Sequence, residues 1–230
     1  MKIKSKIIVV LLFTVFASCD DIDNLDGPDA GISGVIIDET TNEGIKTDQP
    51  NGAKIRLVED GYENVIPQDF WAKSDGTFMN TQLFSNSYTV RIIEGAFIEP
   101  SEQRVTLNKG EVTDISFTVV PFMSINASEP VVVGNNIQIS YTLSKPGQIS
   151  WDIQETKTLV STLPSVSTFS NQYSVSNNLS GLEYSEIAET TYTDVVEDLP
   201  SGEYYVRVGG RTNNPNGRYN YSETFMVTIQ

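Results

Sequence analysis

Apolar and polar positions alternate with a period of two along much of the chain. Ile55, Leu57 and Glu59 alternate with Lys54, Arg56 and Val58, the pattern of a half-buried strand. Comparable segments fall at 32–37, 53–59, 77–80, 88–93, 104–107 and 112–119. A second series falls at 122–127, 136–143, 148–153, 192–196, 203–208 and 222–229. Turn pairs such as Asn51-Gly52 and Asp75-Gly76 separate the early segments, and short strands punctuated this way predict sandwiches. No segment beyond residue 30 carries helical periodicity. The expected fold is therefore all-β, as two tandem β-sandwich domains over 31–120 and 121–230, divided at Pro121. The stretch 154–189 is rich in Ser, Thr and Asn, with Pro164 and Gly181. It reads as an extended loop, and loops that long inside compact domains are usually functional or disordered.

The chain opens differently. Lys2, Lys4 and Lys6 precede an apolar run over 7–17, interrupted by Thr14. A basic start and a run this short read as an export signal over 1–18, too short to span a bilayer as a mature helix. The run ends in Phe16-Ala17-Ser18-Cys19. This resembles the bacterial lipobox, which implies that Cys19, the chain's one cysteine, carries lipid. An ordinary secretory signal with an incidental cysteine is the alternative. Asp20, Asp21, Asp23, Asp26 and Asp29 follow, making 19–30 an acidic tether. An acidic stretch behind a lipidated cysteine resembles the surface-export signal of Bacteroidetes lipoproteins; a solvated flexible linker is the plain alternative. A calcium loop fits poorly, since Leu25 and Asp26 occupy the fifth and sixth positions counted from Asp21.

Two further resemblances rest on named residues. Gly34-Val35-Ile36-Ile37-Asp38, Asn51-Gly52-Ala53-Lys54-Ile55, Ser74-Asp75-Gly76-Thr77-Phe78 and Tyr88-Thr89-Val90 resemble the carboxypeptidase-regulatory-like, transthyretin-like fold. That implies Phe78 and Tyr88 in the first core, with Asn86 where the family often has glycine, a residue that also tolerates left-handed backbone. Leu199-Pro200-Ser201-Gly202-Glu203-Tyr204, followed by Val206 and Val208, resembles the corner and F strand of fibronectin type III and immunoglobulin-like domains. There a tyrosine ring packs inward and its hydroxyl bonds nearby backbone; Tyr204 is the expected corner residue. Trp151, on the expected C strand, is then a core residue.

Charge and missing residue types narrow the function. The chain has 15 Lys and Arg against 30 Asp and Glu, for a net charge of −15. Nucleic acid is disfavoured, because neutralising phosphates takes clustered cations. With no histidine, Ser-His, Cys-His and His-metal chemistry are removed. Gly209-Gly210 lacks the Lys-Ser/Thr ending of a phosphate loop. No metal ligand set and no cofactor is expected. A glycosidase would need two carboxylates in a deep cleft, and domains of about a hundred residues offer little room for both cleft and core. The expectation is no enzyme.

Binding remains. Sugars present apolar C–H faces ringed by hydroxyls, and exposed aromatic rings with planar polar side chains suit them. Two stretches carry that mixture. The first, 62–71, holds Tyr62, Asn64, Gln68, Asp69, Phe70 and Trp71. Adjacent strand residues point to opposite faces, so Phe70 is expected inward and Trp71 outward. The second, 211–221, holds Arg211, Asn213, Asn214, Asn216, Arg218, Tyr219 and Tyr221, on a hairpin loop at a sandwich end. Tyr62, Trp71, Arg211, Asn213, Arg218 and Tyr219 are the candidate ligand contacts, with Tyr173 and Tyr184 behind them. Packing and turn-forming roles are the alternatives at both places.

Taken together, lipobox, tether and paired domains resemble a family of two-domain Bacteroidetes outer-membrane lipoproteins encoded beside starch-utilisation-type glycan importers. The resemblance implies a lipid-anchored, cell-surface protein that assists glycan capture. Its implied partners are a TonB-dependent porin, a glycan-binding lipoprotein and a polysaccharide or oligosaccharide. The rivals are an assembly subunit of the importer that touches no sugar and, behind it, a carboxylate-pair glycoside hydrolase.

Overall fold

The computed structural model describes residues 26–230. The export signal, Cys19 and Asp20, Asp21 and Asp23 lie outside the described residues. The first half of the chain supplies eight strands: β1 (Ala30–Asp38), β2 (Lys54–Glu59), β3 (Gln68–Trp71), β4 (Thr77–Leu83), β5 (Ser87–Glu94), β6 (Phe97–Ile98), β7 (Gln103–Thr106) and β8 (Val112–Pro121). They form two sheets, ordered β4-β1-β8-β6 and β3-β2-β5-β7. β1 runs parallel to β8, from Gly31 opposite Val112 to Asp38 opposite Val119. The inward residues of the alternating segments, including Ile32, Ile36, Ile55, Leu57 and Val90, meet in one core. Each such side chain contributes roughly 1.5–3 kcal/mol by leaving water. Phe78 and Tyr88 lie in that core, and the Tyr88 hydroxyl escapes orphan burial by donating to the Phe84 carbonyl at 3.0 Å.

The second half supplies β9 (Ser124–Ala127), β10 (Val131–Val133), β11 (Asn136–Ser144), β12 (Ile153–Ser161), β13 (Tyr173–Asn178), the short helix α1 (Tyr184–Glu189), β14 (Tyr192–Val196), β15 (Gly202–Thr212), β16 (Tyr219–Tyr221) and β17 (Phe225–Ile229). One sheet is β10-β11-β14, with β9 also on β11. The other is β13-β12-β15-β16, with β17 also on β15. The expectation of an all-β chain built of sandwiches holds. Tyr204 packs into the second core and donates its hydroxyl to the Pro200 carbonyl at 2.9 Å.

Several local expectations are corrected. The stretch 154–189 is not loop: it contains β12, β13 and α1. No strand occupies 148–152, where Ile149 donates its backbone N–H to the Pro146 carbonyl and closes a turn. Trp151 therefore misses the core of the second sandwich. It is half-buried with Phe122, Ile149 and Ala96 in a separate cluster, its ring edge-on to Phe122 at 4.6 Å. Asn51-Gly52 does not close a hairpin, since β2 pairs with β3 and β5. Glycine is needed there for space: a Cβ on Gly52 would lie 2.5 Å from the Asp48 carbonyl oxygen. Asn86 is not among the left-handed residues; its amide donates to Glu59 Oε1 at 2.7 Å. At Asp75-Gly76 the turn forms as expected, with Gly76 at φ +80°.

The two sandwiches share a polar seam. Asn220 donates Nδ2 to the Ala96 carbonyl at 2.8 Å and accepts the Met123 N–H on Oδ1. Thr168 Oγ1 donates to Asp48 at 2.6 Å. Arg207 is buried there. Its Nη1 donates to the carbonyls of Thr47 and Val166, and its guanidinium carbon lies 3.8 Å from the Tyr221 ring centre. Removal from water pushes the Arg207 pKa down to about 10, which still leaves it protonated at neutral pH.

Candidate functional site

The outward face of the β13-β12-β15-β16 sheet carries a row of aligned side chains. Asn178 stands opposite Glu155, Glu155 opposite Arg211, and Arg211 opposite Tyr219. Cross-strand neighbours on one face lie about 5 Å apart, so the row is continuous across four strands. Arg211 grips Glu155 through Nε at 2.8 Å and Nη2 at 2.7 Å. Tyr219 donates its hydroxyl to Glu155 Oε1 at 2.6 Å. Lys157, two residues along β12, reaches Glu155 at 3.6 Å and lies 5.4 Å from the Tyr219 ring centre. The Arg211 guanidinium lies 5.8 Å from the same centre. Gly209 makes room, since a Cβ there would come within 2.8 Å of the Tyr221 ring. A hollow of about 380 Å³ opens beside the row, lined by Gln154, Glu155, Ser176, Asn177, Asn178, Ser180 and Arg211.

A second aromatic group lies where the first sandwich meets the hairpin loop of the second. Trp71 sits opposite Lys54 on β2, with the ammonium 4.5 Å from its ring centre. Phe70, on the other face of β3, packs against the first core, edge-on to Phe78 at 6.2 Å. The Arg218 guanidinium arrives from the second sandwich to 5.4 Å from the Trp71 ring. Glu94 joins the two cations: Lys54 Nζ lies 2.5 Å from its Oε1, and Arg218 Nη2 donates to its Oε2. Among the described residues, buried Arg218 Nε finds no hydrogen-bond partner.

The six candidate contacts thus have different fates. Trp71 and Arg218 meet, Arg211 and Tyr219 meet, and consecutive residues 218 and 219 link the two groups. Tyr62 is exposed but stands apart. It lies on the β2–β3 turn beyond Glu59, and the five steps back to Lys54, opposite Trp71, span roughly 17 Å at about 3.3 Å per residue. Asn213 is committed to the loop: its N–H donates to the Asp152 carbonyl and its Oδ1 accepts the Asp152 N–H, both at 2.9 Å. Tyr173 packs against the second core, and Tyr184 hydrogen-bonds the Lys145 backbone. Sequence reading missed Lys54, Glu94, Glu155, Lys157 and the asparagines of β13. Lys54 and Glu94 bore no signal of their own; Glu155 and Asn178 lay in the supposed loop.

Burial raises the pKa of both bridging carboxyls, and their hydrogen bonds more than reverse it. Bonds from Lys54 and Arg218 leave Glu94 below its usual 4.5. The Tyr219 hydroxyl and the charges of Lys157 and Arg211 leave Glu155 below it too. A carboxyl depressed on folding stabilises the fold above its unfolded pKa and ceases to as pH falls through the folded value. The melting temperature is therefore expected to fall from pH 5 to pH 3, with a loss of near-ultraviolet ellipticity from Trp71 and Tyr219. A Glu94→Gln, Glu155→Gln double variant should show a shallower fall, and an unchanged slope would contradict the assignment. Among the described residues no group of three or more His, Cys, Asp or Glu is placed to hold a metal ion.

With this geometry in hand, comparison with known proteins places the first sandwich. Residues 30–120 match the N-terminal domain of DUF3823, a protein family of unknown function. The match covers the strands that bear Lys54, Trp71 and Glu94. The matched stretch and its continuation also align with solved structures. A DUF3823 family protein from Bacteroides uniformis is 24% identical over 88% of this chain and 100% of its own, with a TM-score of 0.78. A second protein from Bacteroides uniformis bears the description "putative carbohydrate binding protein"; it is 22% identical over the same shares, with a TM-score of 0.75. A DUF3823 family protein from Parabacteroides merdae is 18% identical, again over 88% and 100%, with a TM-score of 0.73. At these identities the likeness is one of fold. No curated protein matches the sequence.

Proposed function

We propose that this protein is a non-catalytic glycan-binding protein that holds polysaccharide at the bacterial surface for import. The observation that carries the reading is the row Asn178–Glu155–Arg211–Tyr219 beside an open polar hollow. A half-exposed aromatic ring flanked by planar donors and acceptors suits a sugar, whose ring faces are apolar and whose rim is hydroxyl. The name borne by one structural neighbour is consistent with it. In this reading lipid at Cys19 carries the chain on the outer membrane, facing outward, beside a TonB-dependent porin and a second glycan-binding lipoprotein. Weak single-site affinity would be raised by such clustering.

The test is affinity electrophoresis of the protein through gels cast with a panel of polysaccharides. At least one glycan should retard it, Tyr219→Ala should abolish the retardation, and Tyr219→Phe, which keeps the ring packed on Tyr221, should preserve most of it. Uniform migration through every gel would remove the reading.

A second reading, an importer subunit without sugar contact, is favoured by one observation. Strand β10 borders its sheet and exposes Val131 and Val133, and an apolar edge is suited to pairing with another chain. Recovery of an importer porin with the protein, undiminished in Tyr219→Ala, alongside no retardation in any gel, would select it.

A further inference from the structure

The two aromatic groups of the site are built alike. In one, the Trp71 ring is flanked by Lys54 and Arg218, and Glu94 bridges both cations. In the other, the Tyr219 ring is flanked by Lys157 and Arg211, and Glu155 bridges both. Each unit contributes one lysine and one arginine, and each carboxyl answers two positive charges. Each unit therefore keeps one charge in excess. The neighbouring Arg56 spends its charge on Asp69, through paired bonds of 2.7 Å, and adds nothing to the balance. In a chain of net charge −15, four of fifteen cationic residues and only two of thirty acids meet at this band.

That concentration runs against the charge of the whole molecule, and a neutral sugar does not require it. We propose that the band is a two-subsite receptor for an anionic oligosaccharide, with one acidic sugar at Trp71 and another at Tyr219. The inference rests on the glycan-binding reading and specifies its ligand class. In each unit the sugar's acidic group takes up the uncompensated charge. Arginine meets it through the planar fork that suits carboxylate and sulfate alike. The lysine, on its flexible stem, swings from the ring toward the incoming anion and uncovers the aromatic face for the apolar side of the sugar. Glu94 and Glu155 hold the cations at the surface until then, so that the empty site presents no bare cluster of positive charge. Because residues 218 and 219 are consecutive, one bound chain bridges both sandwiches, and affinity rises with chain length until both subsites are filled.

The test is isothermal titration of the full mature chain with three sets of length-matched oligosaccharides: galacturonate oligomers, chondroitin sulfate oligomers and neutral galactan oligomers. Expected are binding to one or both acidic sets, tightening from dimer to hexamer, and weakening as sodium chloride is raised from fifty to five hundred millimolar. The acidic set that binds separates carboxylate from sulfate recognition. Arg211→Gln and Arg218→Gln should each weaken binding about tenfold or more, a loss of about 1.4 kcal/mol. Arg104→Gln, at a salt bridge to Asp60 on the opposite end of the first sandwich, should leave it unchanged. Lys54→Met and Lys157→Met guard against misfolding of the arginine variants and should reduce the salt dependence. Neutral oligomers binding as tightly as acidic ones, with no effect of salt, would overturn the inference and leave the glycan-binding reading standing. Acidic binding untouched by all four variants would also overturn it. Silence from all three sets, together with uniform migration in the polysaccharide gels, would end both.

Discussion

Asp194→Ala is expected to cost about 3 kcal/mol of stability, the scale for breaking a buried hydrogen-bonded charge network. Asp194 is buried inside the second sandwich and gathers three donors. Thr158 Oγ1 lies 2.6 Å from its Oδ2, the Tyr141 hydroxyl 3.2 Å from the same oxygen, and Asn177 Nδ2 2.8 Å from Oδ1. Alanine removes every one of these acceptors and leaves the buried Thr158 and Tyr141 hydroxyls each short of a partner. Burial already pushes the Tyr141 phenol well above its usual range, so that hydroxyl remains a neutral donor in need of a partner. Asn177 belongs to the network on one side and to the polar hollow on the other, so the same change should loosen the hollow. Urea unfolding should show a lower midpoint for Asp194→Ala and a smaller fall for Asp194→Asn, which keeps one carbonyl acceptor. Equal midpoints for wild type and alanine variant would show that the network adds nothing.

Gly34→Ala should be comparably damaging in the first sandwich, for steric reasons. Gly34 sits mid-way along β1, between Phe78 on β4 and Ile115 on β8. A Cβ there would lie 2.2 Å from the Ile115 carbonyl oxygen and 2.5 Å from the Phe78 ring. Neither neighbour can yield cheaply. One is backbone in the parallel ladder, and the other is a core ring held edge-on by Phe70. Overpacking of this kind costs typically 1–3 kcal/mol, and about 3 kcal/mol is expected here. Thermal unfolding of Gly34→Ala beside Gly61→Ala gives the contrast. Gly61 has open space around it and a φ of +95°, so its penalty is backbone strain alone, about 1 kcal/mol. A Gly34 variant no less stable than the Gly61 variant would refute the packing argument.

Strands whose inward positions are apolar could be read from the sequence. Ile55 and Leu57 on β2, or Tyr88, Val90 and Ile92 on β5, announce their buried face by alternation. β12 could not be read this way, and its core face explains why. Its inward residues include Thr156 and Thr158, whose hydroxyls are satisfied by Tyr141 and Asp194. A buried face built from hydroxyls looks like a polar loop in one dimension. The site suffered the same concealment, because Glu155 and Lys157 ride on that strand. Trp71 and Arg218 were both singled out, yet nothing local in either stretch indicated that they meet. Their encounter depends on the seam set by Asn220, Arg207 and Asp48, whose partners are more than a hundred residues away. Tyr62 misled for the opposite reason. Its nearness to Trp71 in the chain counts for little when a hairpin sends the two to opposite ends.

The parallel pairing of β1 with β8 has a spatial consequence. Both strands start at the same end of the first sandwich, where Asp29 accepts hydrogen bonds from Ser85, and both run toward the seam. Whatever precedes Asp26 therefore joins at the far pole from Trp71 and Glu94. The eight residues of β5, Ser87–Glu94, measure that interval at roughly 25 Å. The first sandwich therefore sets Trp71 and Glu94 apart from Asp26 by about its own height, so any load carried at one pole is held a full strand length from the other.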